Sequence, residues 1–457
     1  MSISAAASPG VSRIRSRITP AQSLLLGFTA LVVVGALLLS LPIASRDGSR
    51  QPWVDAFFTA TSAVTTTGLV VVDTGSHYSL FGQVVILVLF QIGGLGYMVF
   101  IAFVALIMGR RLSLGAGITL QESIAGLTGS EVRDFIRSVF WYTFLFEAFG
   151  AALLSAYWMG HFPVSRALYL GLFHSVSAFC TAGFALFPDS FVAYRGSVLV
   201  NATIAIVTLA GAAGFFVLRD VTRYLSLVRA GRRPRRLALH TKLAFTVWVP
   251  LLVAGSAIFL AAEPSSVLGG SAPARLANAT FQALSASTTT GFNSIDIGAM
   301  TATSLFWLLV LMFVGASPGG TGGGIKTTTL GTVMATVTAL LKGGEDTVIF
   351  RRRLPEDTVR RALTIGLLAT VLITADTLVL TASEEKPFLP ILFEVVSALG
   401  TVGLSAGITA SLSTAGKILL SATMIVGRLG PLVIGFALLA RPRRARFRYA
   451  EEKVFIG

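Results

Sequence analysis

One phrase, Phe-x-x-x-Ser-Ala-x-x-Thr-x-Gly followed by Leu or Phe, occurs four times in this chain, and it limits what the chain can fold into. The copies run from Phe58 to Gly68, Phe173 to Gly183, Phe281 to Gly291 and Phe393 to Gly403. They are spaced roughly 110 residues apart and keep one register, the mark of a single structural unit used four times. A chain built this way must bring four equivalent segments into equivalent surroundings. An apolar unit that ends in Thr-x-Gly suits a cation filter made of backbone carbonyls.

Composition says where that filter sits. The chain has 457 residues, 54% of them hydrophobic and only 12% charged, which marks a multi-pass membrane protein. Apolar runs at 24–41, 84–108, 241–262 and 364–380 are long enough, or nearly so, to cross a ~30 Å hydrocarbon layer. The net charge of +15 does not imply a nucleic-acid partner, because of where the charge lies. With the N-terminus inside, 27 of the 36 Lys and Arg fall in cytoplasmic segments, including Arg13-Ile-Arg-Ser-Arg17 and the Arg-rich stretch 229–236. The basic excess therefore orients the chain in its membrane, with membrane lipid as its surroundings and both termini cytoplasmic. Cys180 is the one cysteine, so neither an internal disulfide nor a thiolate metal cluster can form.

Each repeat reads as an outward-going helix, a short half-helix, a filter and an inward-going helix. In the first, 22–42 crosses, 53–64 dips back, 65–69 forms the filter and 81–108 returns. A half-helix of about 12 residues spans only ~18 Å, so it must be re-entrant and surrounded by protein. The expected fold is an all-α membrane protein of four such repeats, pseudo-fourfold around one pore, with eight transmembrane and four re-entrant helices. Its parts are an N-terminal tail (1–19), repeat 1 (20–110), a linker (111–135), repeat 2 (136–230), repeat 3 (231–345), repeat 4 (346–440) and a C-terminal tail (441–457). The linker is weakly amphipathic, fitting either an interfacial segment or a plain loop.

The expected ion-binding residues are Thr66, Thr67 and Gly68, Thr181, Ala182 and Gly183, Thr289, Thr290 and Gly291, and Thr401, Val402 and Gly403. Glycine lets the backbone take positive φ, so that successive carbonyls turn towards one axis. The threonines at 66, 181, 289 and 401 can add hydroxyl oxygens or bond behind the filter. The small Ser-Ala pair lets the half-helix pack close by, with its negative C-terminal end aimed inward. Asp73, Asp189 and Asp296 follow three of the filters and would gather cations at an outer mouth, although a capping role fits each equally well. Repeat 4 has Ser405 and Gly407 there instead.

Repeat 3 breaks its inward-going helix. The segment Gly315-Ala-Ser-Pro318-Gly319-Gly320-Thr-Gly322-Gly323-Gly324 holds six glycines and a proline in ten residues. Irregular backbone at membrane depth is tolerated only inside protein or beside a water-filled cavity, so this loop reads as a gate below the filter. A phosphate-binding loop is excluded by Ile325, which separates glycine from Lys326 where that motif needs them adjacent. Arg428 lies inside the last inward-going helix, where a charge is costly, and can hold the loop through backbone carbonyls. Lys326 reads as snorkelling to the inner face, His174 as packing, and Glu147 and Asp376 as buried structural partners. No nucleotide or phosphorylation domain is visible, so an enzyme or a pump is not expected.

The four filter phrases, the Gly-rich break at 315–324, the segment Gly427-Arg428-Leu-Gly-Pro431 and the ending Tyr449-Ala-Glu-Glu-Lys-Val-Phe-Ile-Gly457 resemble the Trk/Ktr/HKT superfamily of potassium transporters, most closely its KtrB-type membrane subunits. The resemblance covers nearly the whole chain from about residue 20. Its short start is expected to lack the two extra helices of TrkH-type members. It implies potassium uptake across the bacterial plasma membrane and a homodimer with one pore per protomer. It also implies a cytoplasmic ring of RCK-domain, KtrA-like subunits that bind ATP or ADP and control the gate, with no cofactor bound by this chain. The family's filter glycines carry over to Gly68, Gly183, Gly291 and Gly403, and its loop-facing arginine to Arg428. Sodium-transporting members often carry serine at the first of these glycines, so Gly68 favours potassium. The second filter departs from the family, having Cys180-Thr181-Ala182 where asparagines are common. Coupling to sodium or protons on the same fold remains the alternative.

Overall fold

The computed structural model describes residues 19–96, 99, 129–232, 236–438 and 452. The expected N-terminal tail and most of the linker and C-terminal tail lie outside these residues.

Four leading helices, Pro20–Leu39, Gly129–Trp158, Leu239–Ala262 and Glu356–Ser383, each contain a stretch long and apolar enough to cross a membrane. Four pore helices follow them: Trp53–Val64, Val164–Phe179, Ala272–Ser287 and Phe388–Gly400. A proline opens each one, Pro52, Pro163 and Pro387 as N-caps and Pro273 inside the first turn, where its missing N–H has no helical partner to lose. The following helices, Leu80–Leu95, Val198–Ala213, Ala302–Phe313 and Thr414–Leu429, are also started alike. Ser79, Ser197, Thr301 and Ser413 cap them, each hydroxyl accepting from a backbone N–H three residues on.

Sequence predicts eight spanning helices with a break in the following helix of repeat 3; among the described residues the following helices of the other repeats are interrupted as well. Four helices cross by length, or six if each bent pair counts as one span. The difference lies in the following helices. Those of repeats 1, 2 and 4 stop at Gly96, Gly214 and Gly430, all with φ between 80° and 87°. After Gly214 the chain turns by 104° into Phe215–Arg229, and after Gly430 by 99° into Pro431–Leu438. In repeat 3 the helix gives way to an irregular loop before Thr327–Leu341.

The recurring phenylalanine of the phrase now has a reason. Phe58 packs into a core shared with repeat 4, Phe173 into one shared with repeat 1, Phe281 into one shared with repeat 2 and Phe393 into one shared with repeat 3. The residue after each filter glycine, Leu69, Phe184, Phe292 or Leu404, enters that same core. Each repeat is thus fastened to the one before it, and the first to the last. Burying such a side chain stabilises by about 1.5–3 kcal/mol relative to leaving it exposed.

Candidate functional site: a carbonyl ring above a broken helix

Each pore helix ends and then reverses the hand of its backbone. Thr66, Thr181, Thr289 and Thr401 sit at φ 49–56°, and the glycines two residues on are also positive, at φ 89°, 69°, 81° and 92°. Left-handed backbone is uncommon for β-branched residues and costs on the order of 1–3 kcal/mol each. Two N–H groups per repeat help to hold the turn. In the first, Thr66 N donates to Ala63 O at 3.0 Å and Thr67 N to Ser62 O at 2.8 Å. The other three repeats make the same pair of bonds within 0.1 Å. The recurring serine clasps the filter: Ser62 and Ser397 Oγ accept from the N–H of Gly68 and Gly403, while Ser177 and Ser285 Oγ donate to the carbonyls of Phe184 and Phe292.

The four glycines face one another in sequence order. A methyl group on Gly68 would stand 2.5 Å from Ala182 O and 3.2 Å from Gly183 Cα. One on Gly183 would strike Thr290 O, one on Gly291 would strike Val402 O, and one on Gly403 would strike Thr67 O. The contacts close on themselves, so the glycines ring a common centre rather than scatter. Thr66 and Thr401 Oγ1 are buried at this ring and have no hydrogen-bond partner among the described residues.

Outside the ring lies a vestibule of about 500 Å³, lined by all four glycines together with Asp73, Asp189 and Asp296. Two of these carboxylates also cap their own turns: Asp73 accepts from Ser76 N at 2.6 Å and Asp296 from Gly298 N at 2.9 Å. Repeat 4 keeps its carboxylate inside. Glu394, fully buried in the pore helix, accepts from Ser405 Oγ, Ala406 N and Thr409 Oγ1 and so braces its own outer loop. Its signal was a carboxylate within the repeated phrase itself.

Inside the ring, the 315–324 loop sits against the filter threonines. Gly323 N donates to Thr289 Oγ1 at 2.9 Å, Gly323 Cα approaches Thr401, and Thr321 Oγ1 lies 3.5 Å from Thr181 Oγ1. The loop is tied to repeat 2 through Ser317 N to Ala212 O, Thr321 N to Gly211 O and Phe215 N to Gly319 O. Arg428 joins it to repeat 1, donating to Thr321 O and to the carbonyls of Gly93 and Gly94 at 2.6 and 3.1 Å. Lys326 does not snorkel to the inner face. Its Nζ turns back onto Gly322 O and Gly323 O at 2.5 and 3.2 Å; among the described residues Gly322 O has no backbone N–H partner, and Gly323 O has a long one, Ala316 N at 3.3 Å.

The second filter's cysteine points away from the ring. Cys180 is fully buried, its Sγ donating to Gln91 Oε1 at 3.0 Å. Asp376 accepts from Thr423 Oγ1, and His174 bridges Leu170 O and Leu186 N among Trp158, Phe187 and Phe191. Sequence reasoning missed the ion pair of Lys417 with Asp55 at 2.7 Å, which joins repeats 4 and 1. It also missed Gly93, Gly211 and Gly427, each pressed against a carbonyl near the end of a pore helix. The recurrence of Gly-x-x-Gly at 93–96, 211–214 and 427–430 was their signal.

Residues 24–444 match the family model described as TrkH, cation transport protein. The chain is 38% identical over 444 residues to Ktr system potassium uptake protein B of Bacillus subtilis (strain 168), covering 96% of this chain and 97% of that protein. It is 34% identical to potassium/sodium uptake protein NtpJ of Enterococcus hirae, over 97% and 99% of the two chains. The crystal structure of the potassium transporter TrkH from Vibrio parahaemolyticus aligns with a TM-score of 0.72 at 20% identity, covering 93% of this chain and 86% of that one, a likeness of fold.

Proposed function

This chain is a multi-pass membrane protein of the TrkH family of cation transport proteins, and from that premise we propose that it takes up potassium through a gated, channel-like pore. The observation that carries the reading is the closed ring of Gly68, Gly183, Gly291 and Gly403, each turned by positive φ towards its neighbour. Backbone oxygens so arranged can replace the water around a dehydrated cation without fixing a full negative charge at the site. Four repeats pseudo-fourfold about one axis, eight spans with broken following helices, and cytoplasmic termini complete the proposed architecture. The inward charge bias of Lys and Arg supports that orientation.

In this reading the membrane potential drives uptake, at about 2.3 kcal/mol per charge per 100 mV. The acidic vestibule raises the local cation concentration. The loop at 315–324, pinned by Arg428, closes the path below the ring. The name of the Bacillus relative, component B of a Ktr system, supports a partner subunit, which we take to be a cytoplasmic RCK-type ring that binds ATP or ADP; a homodimer belongs to the same proposal. A coupled symporter is the second reading, favoured by the potassium/sodium name of the Enterococcus relative.

The deciding experiment is isotope uptake into potassium-transport-deficient cells and into proteoliposomes under a clamped diffusion potential. Flux that follows potential with no sodium or proton gradient supports the channel-like reading. Flux that vanishes when those gradients are abolished replaces it with symport, and no potassium flux in either system refutes both.

A further inference from the structure

We propose that Lys326 is a second cationic latch of the gate and a positioning residue for the loop, acting on it alongside Arg428. The inference rests on the gate reading above and extends it to a residue whose position in sequence suggested only an interfacial anchor. Three consecutive loop carbonyls, Thr321, Gly322 and Gly323, accept from these two side chains: Thr321 O from Arg428, and Gly322 O and Gly323 O from Lys326 Nζ. Gly323 is also the residue whose N–H meets Thr289 Oγ1 and whose Cα abuts Thr401. Lys326 therefore grips the loop at its point of contact with the filter.

The geometry explains why a lysine is there. Residues 315–324 leave helical hydrogen bonding at membrane depth; helix N-termini serve Gly319 O, from Phe215 N, and Ala316 O, from Thr327 N, but Gly322 O has no backbone donor among the described residues and needs a side chain. A lysine carries three donors on one flexible stem and can serve two carbonyls at once. Lys326 is also the N-cap of Thr327–Leu341, with φ −62° and ψ 143°, and its side chain makes no capping bond. Its chain is thus free to fold back over the loop instead of along the helix. Lys326 and Arg428 line one cavity of about 240 Å³ between repeats 3 and 4, together with Gly430 and Pro431, where the last following helix bends. Two positive charges under the ring also oppose a descending cation while the loop is shut, so closure is electrostatic as well as steric.

The test compares wild type, K326M, K326Q and K326R with a deletion of 317–322 in proteoliposomes at clamped potential. The expected result is a rise of about ten-fold in basal potassium flux for K326M, with K326R near wild type. The neutral donor K326Q should restore part of the closure but not the voltage dependence of the leak. Because Cys180 is buried, Ser317→Cys gives a clean reporter, and its reaction with a polar thiol reagent should quicken in K326M. If the deletion leaks while K326M keeps wild-type flux and wild-type Ser317→Cys reactivity, Lys326 is no latch and the gate stands. If the deletion is silent too, the gate assignment falls as well. Should K326M fail to reach the membrane, K326Q carries the same comparison, and wild-type closure and voltage dependence in K326Q would overturn the proposal.

Discussion

Replacing one filter glycine at a time by serine should weaken discrimination between potassium and sodium, and the structure sets the size of the effect. At Gly68 the new Cβ would lie 2.5 Å from Ala182 O, where a carbon–oxygen contact needs about 3.3 Å, so that carbonyl must retreat by roughly 0.8 Å. Functional geometry is generally lost beyond about 0.5 Å. Serine at φ 89° adds backbone strain of about 1–3 kcal/mol. A displaced carbonyl no longer matches the dehydrated ion, and a differential loss of about 1.4 kcal/mol is a ten-fold drop in selectivity. Gly403 should be the most sensitive of the four, because there the added carbon would come within 2.9 Å of Gly68 Cα, against 3.1–3.3 Å at the others. Competitive uptake of rubidium and sodium isotopes, normalised to protein in the membrane, reads the ratio. Wild-type selectivity and flux in both Gly68→Ser and Gly403→Ser would refute the filter reasoning.

Neutralising the vestibule by Asp73→Asn, Asp189→Asn and Asp296→Asn together should slow uptake a few-fold at low ionic strength. The difference should shrink as added salt shortens the screening length from about 30 Å at 0.01 M to about 3 Å at 1 M, as potassium flux against salt would show. Lys417→Met strands Asp55 at a site where the pair is 14% and 20% exposed, and should cost about 1–3 kcal/mol in thermal unfolding. Adding Asp55→Asn should recover part of that loss, and a double-mutant cycle measures the coupling. A membrane-impermeant thiol reagent applied outside should leave flux unchanged with or without potassium, since Cys180 Sγ is buried against Gln91.

The units of this fold were legible because their signals are local. Thr-x-Gly needs left-handed backbone, a half-helix of a dozen residues cannot span a bilayer, and ten residues with six glycines cannot stay helical. The pore helix at 53–64, the recurring glycines and the break at 315–324 therefore stand where the sequence placed them. Other features were hidden because they depend on how the chain packs. Lys326 turns its amine back onto Gly322 and Gly323, four and three residues before it, and spacing alone does not tell that fold-back from a reach to the inner face. Nothing near Cys180 reveals that its thiol faces Gln91, 89 residues away. The following helices read as continuous because Gly96, Gly214 and Gly430 sit in apolar runs, and an isolated glycine in such a run is usually tolerated.

The sequence alone determined that a phrase recurs four times in one register, that the chain lies in a membrane, and where the filter turns and the 315–324 break must leave regular structure, since these follow from composition, period and backbone sterics. The tertiary structure alone decided that Phe58, Phe173, Phe281 and Phe393 each enter the preceding repeat's core, closing the units into a ring. It alone decided which side chains face the centre and which brace it from behind. The reason is that a donor or acceptor at membrane depth must find its partner within about 3 Å, and for Cys180, Lys417 and Arg428 that partner lies in another repeat and is chosen by packing.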